Sequence, residues 1–175
     1  MFRWFIKKLE DAGRRRVIYD HGEPYMSRYY VAFRDRREGD KPVPFNIFLH
    51  NFHKSDTPVW HTHPFSYVSI ILKGGYWEHR TDSEGFDTVR WRGPGSIIFS
   101  SKKKMQKLFR WRYGDVPEKF GEIPANAHWI ELDPEKETWS LFFRDRKVDD
   151  DWKFYPDPFK PGIPWEEWVA GRRET

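Results

Sequence analysis

An all-β sandwich or barrel is predicted by three features of this 175-residue chain. Short runs rich in Tyr, Phe, Val and Ile recur from Val17 onward, and turn residues separate them. Aromatic side chains make up 19% of the sequence, and they suit a pleated sheet surface better than a crowded helix face. The length is enough to bury one core, so residues 1–175 are read as a single domain.

The elements follow in order. Residues 3–12 read as a short helix with Trp4, Phe5 and Leu9 on one stripe. The strands begin with "YMSRYYVAF" and "FNIFLHNF", continue through "YVSIILKGGYWEHR", "FDTVRW" and "GSIIFSS", and end with "HWIEL" and "TWSLFF". Turn signals stand between them at Gly22-Glu23-Pro24, Gly39-Asp40-Lys41-Pro42, Gly74-Gly75, Asp82-Ser83-Glu84-Gly85 and Asp133-Pro134-Glu135. The segment 102–127 breaks this rhythm and reads as a long insertion, of the kind that serves as a lid. Near the C-terminus "PWEEWVAG" reads as a short capping helix closed by Gly171.

Composition removes several classes of function. The chain has no cysteine, which excludes disulfides, thiolate zinc sites and cysteine nucleophiles and leaves His, Asp and Glu as strong metal ligands. No run approaches the roughly 20 apolar residues of a membrane span, and "MFRWFIKKLEDAGRRR" lacks an apolar signal core. A cytoplasmic location is the expectation. A net charge of +4 does not argue for nucleic acid. The dense basic run Lys102-Lys103-Lys104, extended by Lys107, Arg110 and Arg112 around Phe109 and Trp111, reads as a solvated loop or as an anion or nucleotide grip.

The seven histidines carry the chemistry. His61 and His63 lie two apart, so on a strand both rings point to one face, close enough to share an ion. Two imidazoles hold a metal weakly, and a third ligand must come from elsewhere. His50 and His53 fall on opposite faces of their run, so at most one of them faces a cavity. Glu78 follows Tyr76 by two, and it either faces solvent or points inward as a fourth ligand or general base. His79 then belongs outside. Asp56 precedes the His pair in a turn, where an Asx-turn role is expected, and His21 beside Gly22 belongs to a loop.

The stretch "PVWHTHPFSYVSIILKGG" resembles the first motif of the cupin superfamily, small double-stranded β-helix (jelly-roll) barrels. His61 and His63 occupy its His-x-His positions. Tyr67 stands where that motif has a glutamate, counting back from Gly74, and Ser55 stands where it has a leading glycine. "RGPGSIIF" is similar to the start of the second motif, with Gly95 in place. Strict spacing would put Gln106 at the motif's metal-binding histidine, whereas "IPANAHWIEL" offers His128 at the head of an alternating strand. His128 fills that role if the irregular segment is an insertion between Gln106 and His128. The resemblance covers about residues 45–143.

The resemblance implies a barrel with a short N-terminal helix and a C-terminal helical cap, holding one divalent transition metal through His61, His63 and His128. Three imidazoles suit Fe(II), Zn, Ni or Cu better than oxygen-seeking Mg or Ca. Loss of the cupin glutamate with three histidines kept looks like thiol dioxygenases and related oxygenases, so Fe(II) is favoured. The expected activity is a dioxygenase-type oxidation of a small metabolite, assisted by Tyr67 or Glu78. The alternatives are a non-catalytic cupin binding a small anion or nucleotide, and a metal-dependent isomerase or lyase. The aromatic C-terminal segment could cover a partner's sheet, which leaves a homodimer open.

Overall fold

The computed structural model describes residues 2–33, 43–81, 87–100, 121–124, 127–145 and 152–171. The basic run Lys102–Lys104 with its aromatic neighbours, Gln106, the turns at Gly39–Pro42 and Asp82–Gly85, and most of the 102–127 insertion lie outside these residues.

The chain opens with α1 (Phe2–Asp11), followed by β1 (Arg15–Asp20), β2 (Glu23–Tyr30), β3 (Phe45–Phe52), β4 (Trp60–His61), β5 (Tyr67–Lys73) and β6 (Tyr76–Thr81). It continues through β7 (Asp87–Arg92), β8 (Ile97–Ser100), β9 (Trp129–Leu132), β10 (Thr138–Asp145), β11 (Lys153–Tyr155), β12 (Ile163–Pro164) and α2 (Trp165–Gly171). One sheet has the order β1-β2-β3-β10-β5-β8, and two smaller sheets run β7-β6-β9 and β12-β11-β4. An antiparallel bridge between His61 and His128 joins these two into a second layer. Every ladder among the described residues is antiparallel, and the result is a jelly-roll β-sandwich.

The alternation of each strand divides the large sheet's two faces. Tyr29, Leu49 and Trp139 point outward and bury Leu9 of α1, with Ile6 packed beside them and Phe2 edge-on to Trp139 at 5.1 Å. The helix therefore presents Phe2, Ile6 and Leu9, spaced i, i+4, i+7, and Trp4 is 63% exposed with Lys8 over its ring. Of the expected stripe Trp4, Phe5 and Leu9, Leu9 is buried, whereas Trp4 and Phe5 are exposed and Phe2 and Ile6 take their place against the sheet. Gly13, at φ 63°, closes the helix and lets the Arg14 amide reach the Leu9 carbonyl at 2.8 Å.

The inner face carries the core. Tyr67, Ile71, Tyr76, Ile98 and Ile130 are buried together, with Phe52, Phe65 and Phe142 packed against them. Gly75, at φ 147°, turns β5 into β6 where a Cβ would press on the Arg92 carbonyl and the Trp91 ring. Its amide donates to Thr138 Oγ1 at 3.1 Å, and that hydroxyl donates back to the Gly75 carbonyl at 2.9 Å. This lock sets where β6 begins, and with it the position of Glu78.

Candidate metal centre

His61 ends the short strand β4, which is held on both sides. It pairs with Phe154 of β11 on one side and bridges His128 on the other. His63 lies just beyond, its ring stacked on Phe65 at 5.7 Å and edge-on to Tyr67 at 5.1 Å. His128 stands immediately before β9. The structure thus brings the three sequence-predicted histidines together, with one ligand atom from each lying within 4.8 Å of the others.

The donor set fits a transition metal. His61 Nδ1 lies 3.3 Å from the Val59 carbonyl, and His128 Nδ1 lies 3.0 Å from Glu78 Oε1. A carbonyl and a carboxylate only accept, so each Nδ1 carries the proton and each Nε2 keeps its lone pair for the centre. His63 Nε2 and His128 Nε2 are 3.0 Å apart. Two nitrogens bonded to one ion at about 2.0–2.1 Å stand about 3 Å apart when they subtend a right angle. Two of the imidazoles, His61 and His63, are also held toward the neutral form. Burial, then the charges of His61, His128, Arg28 and His50, hold His63 well below the usual histidine range. Burial likewise lowers His61, only partly offset by Asp56.

Glu78 is where the structure departs most from expectation. It is 1% exposed, so the solvent-facing alternative does not hold. Nor does its carboxylate reach the metal position. Oε1 accepts from His128 Nδ1 and from Arg80 Nη2 at 2.9 Å, and Oε2 accepts from Arg92 Nε at 2.8 Å. Burial opposes its charge, but the hydrogen bond to His128 and the two guanidinium groups win and hold it far below the usual carboxylate range. Glu78 therefore stands behind His128 and fixes its tautomer.

Tyr67 is packed in the aromatic core with its hydroxyl beside His128. Its hydroxyl lies 3.4 Å from His128 Nε2, and its ring stacks on Phe142 at 4.8 Å. Burial, then the negative charge of Glu78, push the phenol well above its ordinary value, so it remains a donor. Asp56 makes no Asx turn as its main contact. It accepts from the Tyr25 hydroxyl at 2.5 Å and from the Ile130 amide at 2.8 Å, clamping β9 two residues after His128. His79 sits on the outer side of β6, stacked on Trp129 at 3.5 Å with Asp87 and Glu131 on its two nitrogens.

The three histidines open onto a cavity of about 660 Å³. Met26, Phe52, Phe65 and Phe142 form much of its wall, and Phe154, Trp165 and Trp168 close another side. His50 also faces the cavity and is 3% exposed, while His53 bonds Ser27 Oγ at 2.8 Å. Sequence reasoning gave His50 no role. The signal that could have found it is its even spacing from Phe48 and Phe52, which puts all three on the inner face.

No protein-family model matches the chain, and the search of curated proteins gives no match. Among solved structures, it is similar to a cupin-2 domain from Rhodospirillum rubrum, at 12% identity and a TM-score of 0.43, covering 92% of this chain and 81% of that one. A Bacillus subtilis oxalate decarboxylase OxdC variant aligns at 11% identity and TM-score 0.48, covering 90% of this chain and 32% of that one. Fe(II)-HppE with an alternative substrate aligns at 10% identity and TM-score 0.44, covering 76% and 56%. The chain thus spans about half of HppE and a third of the decarboxylase. At these scores the strand order and the joined sheets carry the fold assignment. An antiparallel jelly roll with His61, His63 and His128 converging at one point is the arrangement that the cupin resemblance implies.

Proposed function

We propose that His61, His63 and His128 hold one divalent transition metal, Fe(II) before zinc or nickel, and that the protein is a dioxygenase-type enzyme oxidising a small metabolite. The observation behind this reading is three imidazoles whose donor atoms lie within 4.8 Å at the wall of a largely apolar cavity. Bound Fe(II) would supply a Lewis acid and one-electron chemistry toward dioxygen.

The chain's own residues do the rest. Tyr67, protonated and 3.4 Å from His128 Nε2, donates to an oxygen atom of the substrate held beside the histidines. Glu78 touches no substrate. It is a positioning residue that keeps the His128 proton on Nδ1 and raises the ring's basicity. Phe65, Phe142 and Phe154 exclude water from the reacting centre.

Metal content per chain, measured by mass spectrometry on tag-free wild type and His128→Ala, tests the first half. Close to one iron per chain in wild type, lost in the variant, is expected. No metal in either protein after anaerobic Fe(II) addition would sink the enzyme reading. Oxygen uptake tests the second half. Turnover without O2, with several metals, would replace oxidation by metal-polarised isomerase or lyase chemistry.

A further inference from the structure

Ring contacts divide the cavity into two aromatic walls. On the sheet side, Tyr67 stacks on Phe142 at 4.8 Å, Phe65 stands edge-on to Phe142 at 6.1 Å, and Phe52 meets Tyr76 edge-on at 6.0 Å. On the C-terminal side, Trp165 lies parallel to Trp152 at 4.2 Å and tilted to Phe154 at 5.9 Å. Among the described residues, neither Phe154 nor Trp165 makes a ring contact with the sheet wall. The walls join at the histidines. His61 stacks on Phe154 at 5.3 Å, His63 stacks on Phe65 at 5.7 Å, and the two imidazoles meet edge to face at 5.2 Å.

Hydrogen-bonding groups gather at that junction. His61 and His128 carry their protons on Nδ1, so each Nε2 keeps a lone pair, and the Tyr67 hydroxyl lies 3.4 Å from His128 Nε2. A ligand hydroxyl placed there donates to an imidazole and accepts from Tyr67. The charged groups elsewhere on the wall are engaged or lie in solvent. Asp56 accepts from Tyr25 and the Ile130 amide, and Arg28 Nε donates to His50 Nε2 at 3.2 Å with its guanidinium over Phe48. Asp20 faces Lys54 at 3.4 Å, and Arg16 is exposed.

The cavity, at about 660 Å³, has roughly four times the volume that takes up one benzene ring. Aromatic rings in offset or edge-to-face contact gain more than the area they bury, and the Met26 thioether on the wall favours a ring in the same way. A saturated ring system buries its area without that gain. We propose that the cavity takes a flat, apolar aromatic molecule of about two or three fused rings that carries a phenolic hydroxyl, the oxygen at the histidines and the rings between the two walls. That such a phenol is the substrate rests on the metal reading above, and that the cavity binds it does not.

Calorimetric titration of the purified protein with 2-naphthol tests this, set against naphthalene and against the saturated alcohol decahydro-2-naphthol. The saturated alcohol should bind at least tenfold more weakly than 2-naphthol, and naphthalene severalfold more weakly. Tyr67→Phe should weaken 2-naphthol severalfold and leave naphthalene unchanged, which a damaged wall would not do. Phe142→Leu and Trp165→Leu should each narrow the gap between 2-naphthol and its saturated analogue. If Phe142→Leu does not fold, Trp165→Leu decides. No binding of 2-naphthol, or equal binding of the saturated alcohol, overturns the proposal. Metal content is measured on the same preparations. Aromatic-selective binding by a chain that takes no metal, even after anaerobic Fe(II) addition, would sink only the metal reading. Metal uptake without that selectivity would sink only this one.

Discussion

The His61 amide donates to the His128 carbonyl at 3.0 Å, and the His128 amide returns the bond to the His61 carbonyl at 3.1 Å. Two of the three converging imidazoles are therefore fastened through their own backbones. The same bridge joins the two small sheets. Ligand geometry and sheet closure are one structural event.

Metal binding should accordingly stabilise the whole fold. At a free metal concentration a hundredfold above Kd, the gain is about 2.7 kcal/mol. For a chain of this size that is a rise in Tm of about 5–10 °C. Scanning calorimetry with and without a chelator measures it. A Tm that ignores the metal, or a rise equally large in His63→Ala, would contradict the site.

Glu78→Gln tests the support behind His128. The amide oxygen can still accept from Nδ1, but the charge opposite Arg80 and Arg92 is gone. Metal affinity should fall about 10- to 100-fold. Stability should fall on the order of 3 kcal/mol, because two guanidinium groups lose their buried counter-ion. Competition titration against a chelator reads the first, and urea unfolding the second. Unchanged affinity would mean that Glu78 serves only the fold.

Tyr67→Phe removes one hydroxyl and keeps the ring stacked on Phe142. Metal content should stay at the wild-type level, and kcat should fall about 100-fold with KM nearly unchanged. Loss of metal instead would make the tyrosine a support for His128, and full activity would remove it from the reaction.

Acid should weaken the metal-free protein in two stages. His50, His61 and His63 all titrate below the ordinary 6.5 when folded, burial being the first cause in each. Below pH 6.5 the unfolded chain takes up protons that the fold refuses, so this stability is complete above that pH and is lost as pH falls. Each such histidine contributes a slope of up to about 1.4 kcal/mol per pH unit. Glu78, held below its ordinary 4.5, adds a second loss as pH drops beneath 4.5. Urea unfolding at pH 8, 6.5 and 5.5 measures the first stage, and His50→Gln should flatten it in part. A flat profile from pH 8 to 5.5 would show that these rings are protonated in the fold.

The strands and the histidine triad were legible because both depend on local periods. "FNIFLHNF" and "TWSLFF" alternate, His61 and His63 share a face by spacing, and His128 heads a strand with Ile130 and Leu132 beneath it. What stayed hidden depends on pairing between distant segments. Glu78 was placed on a strand, yet only the β6–β9 ladder reveals that it lies beside His128 and not in solvent. The pairings of Arg16 with Arg28 and of Arg28 with His50 need two registers at once, and no single run of sequence carries either. Strands β4, β11 and β12 are two or three residues long, too short for any alternation to show.

Order of synthesis gives the aromatic column at His61 a further meaning. Phe154 stacks on His61 at 5.3 Å, and Trp168 stacks on Phe154 at 5.1 Å. Strand β4 gains its second neighbour only when residues 153–155 have left the ribosome, long after His61 and His63 and a full strand later than His128. A nascent chain would thus carry all three imidazoles while the outer wall that orients the first of them is still missing. If the three histidines hold a metal, its capture would wait for this wall, and an ion that met the unfinished chain would find His61 not yet oriented.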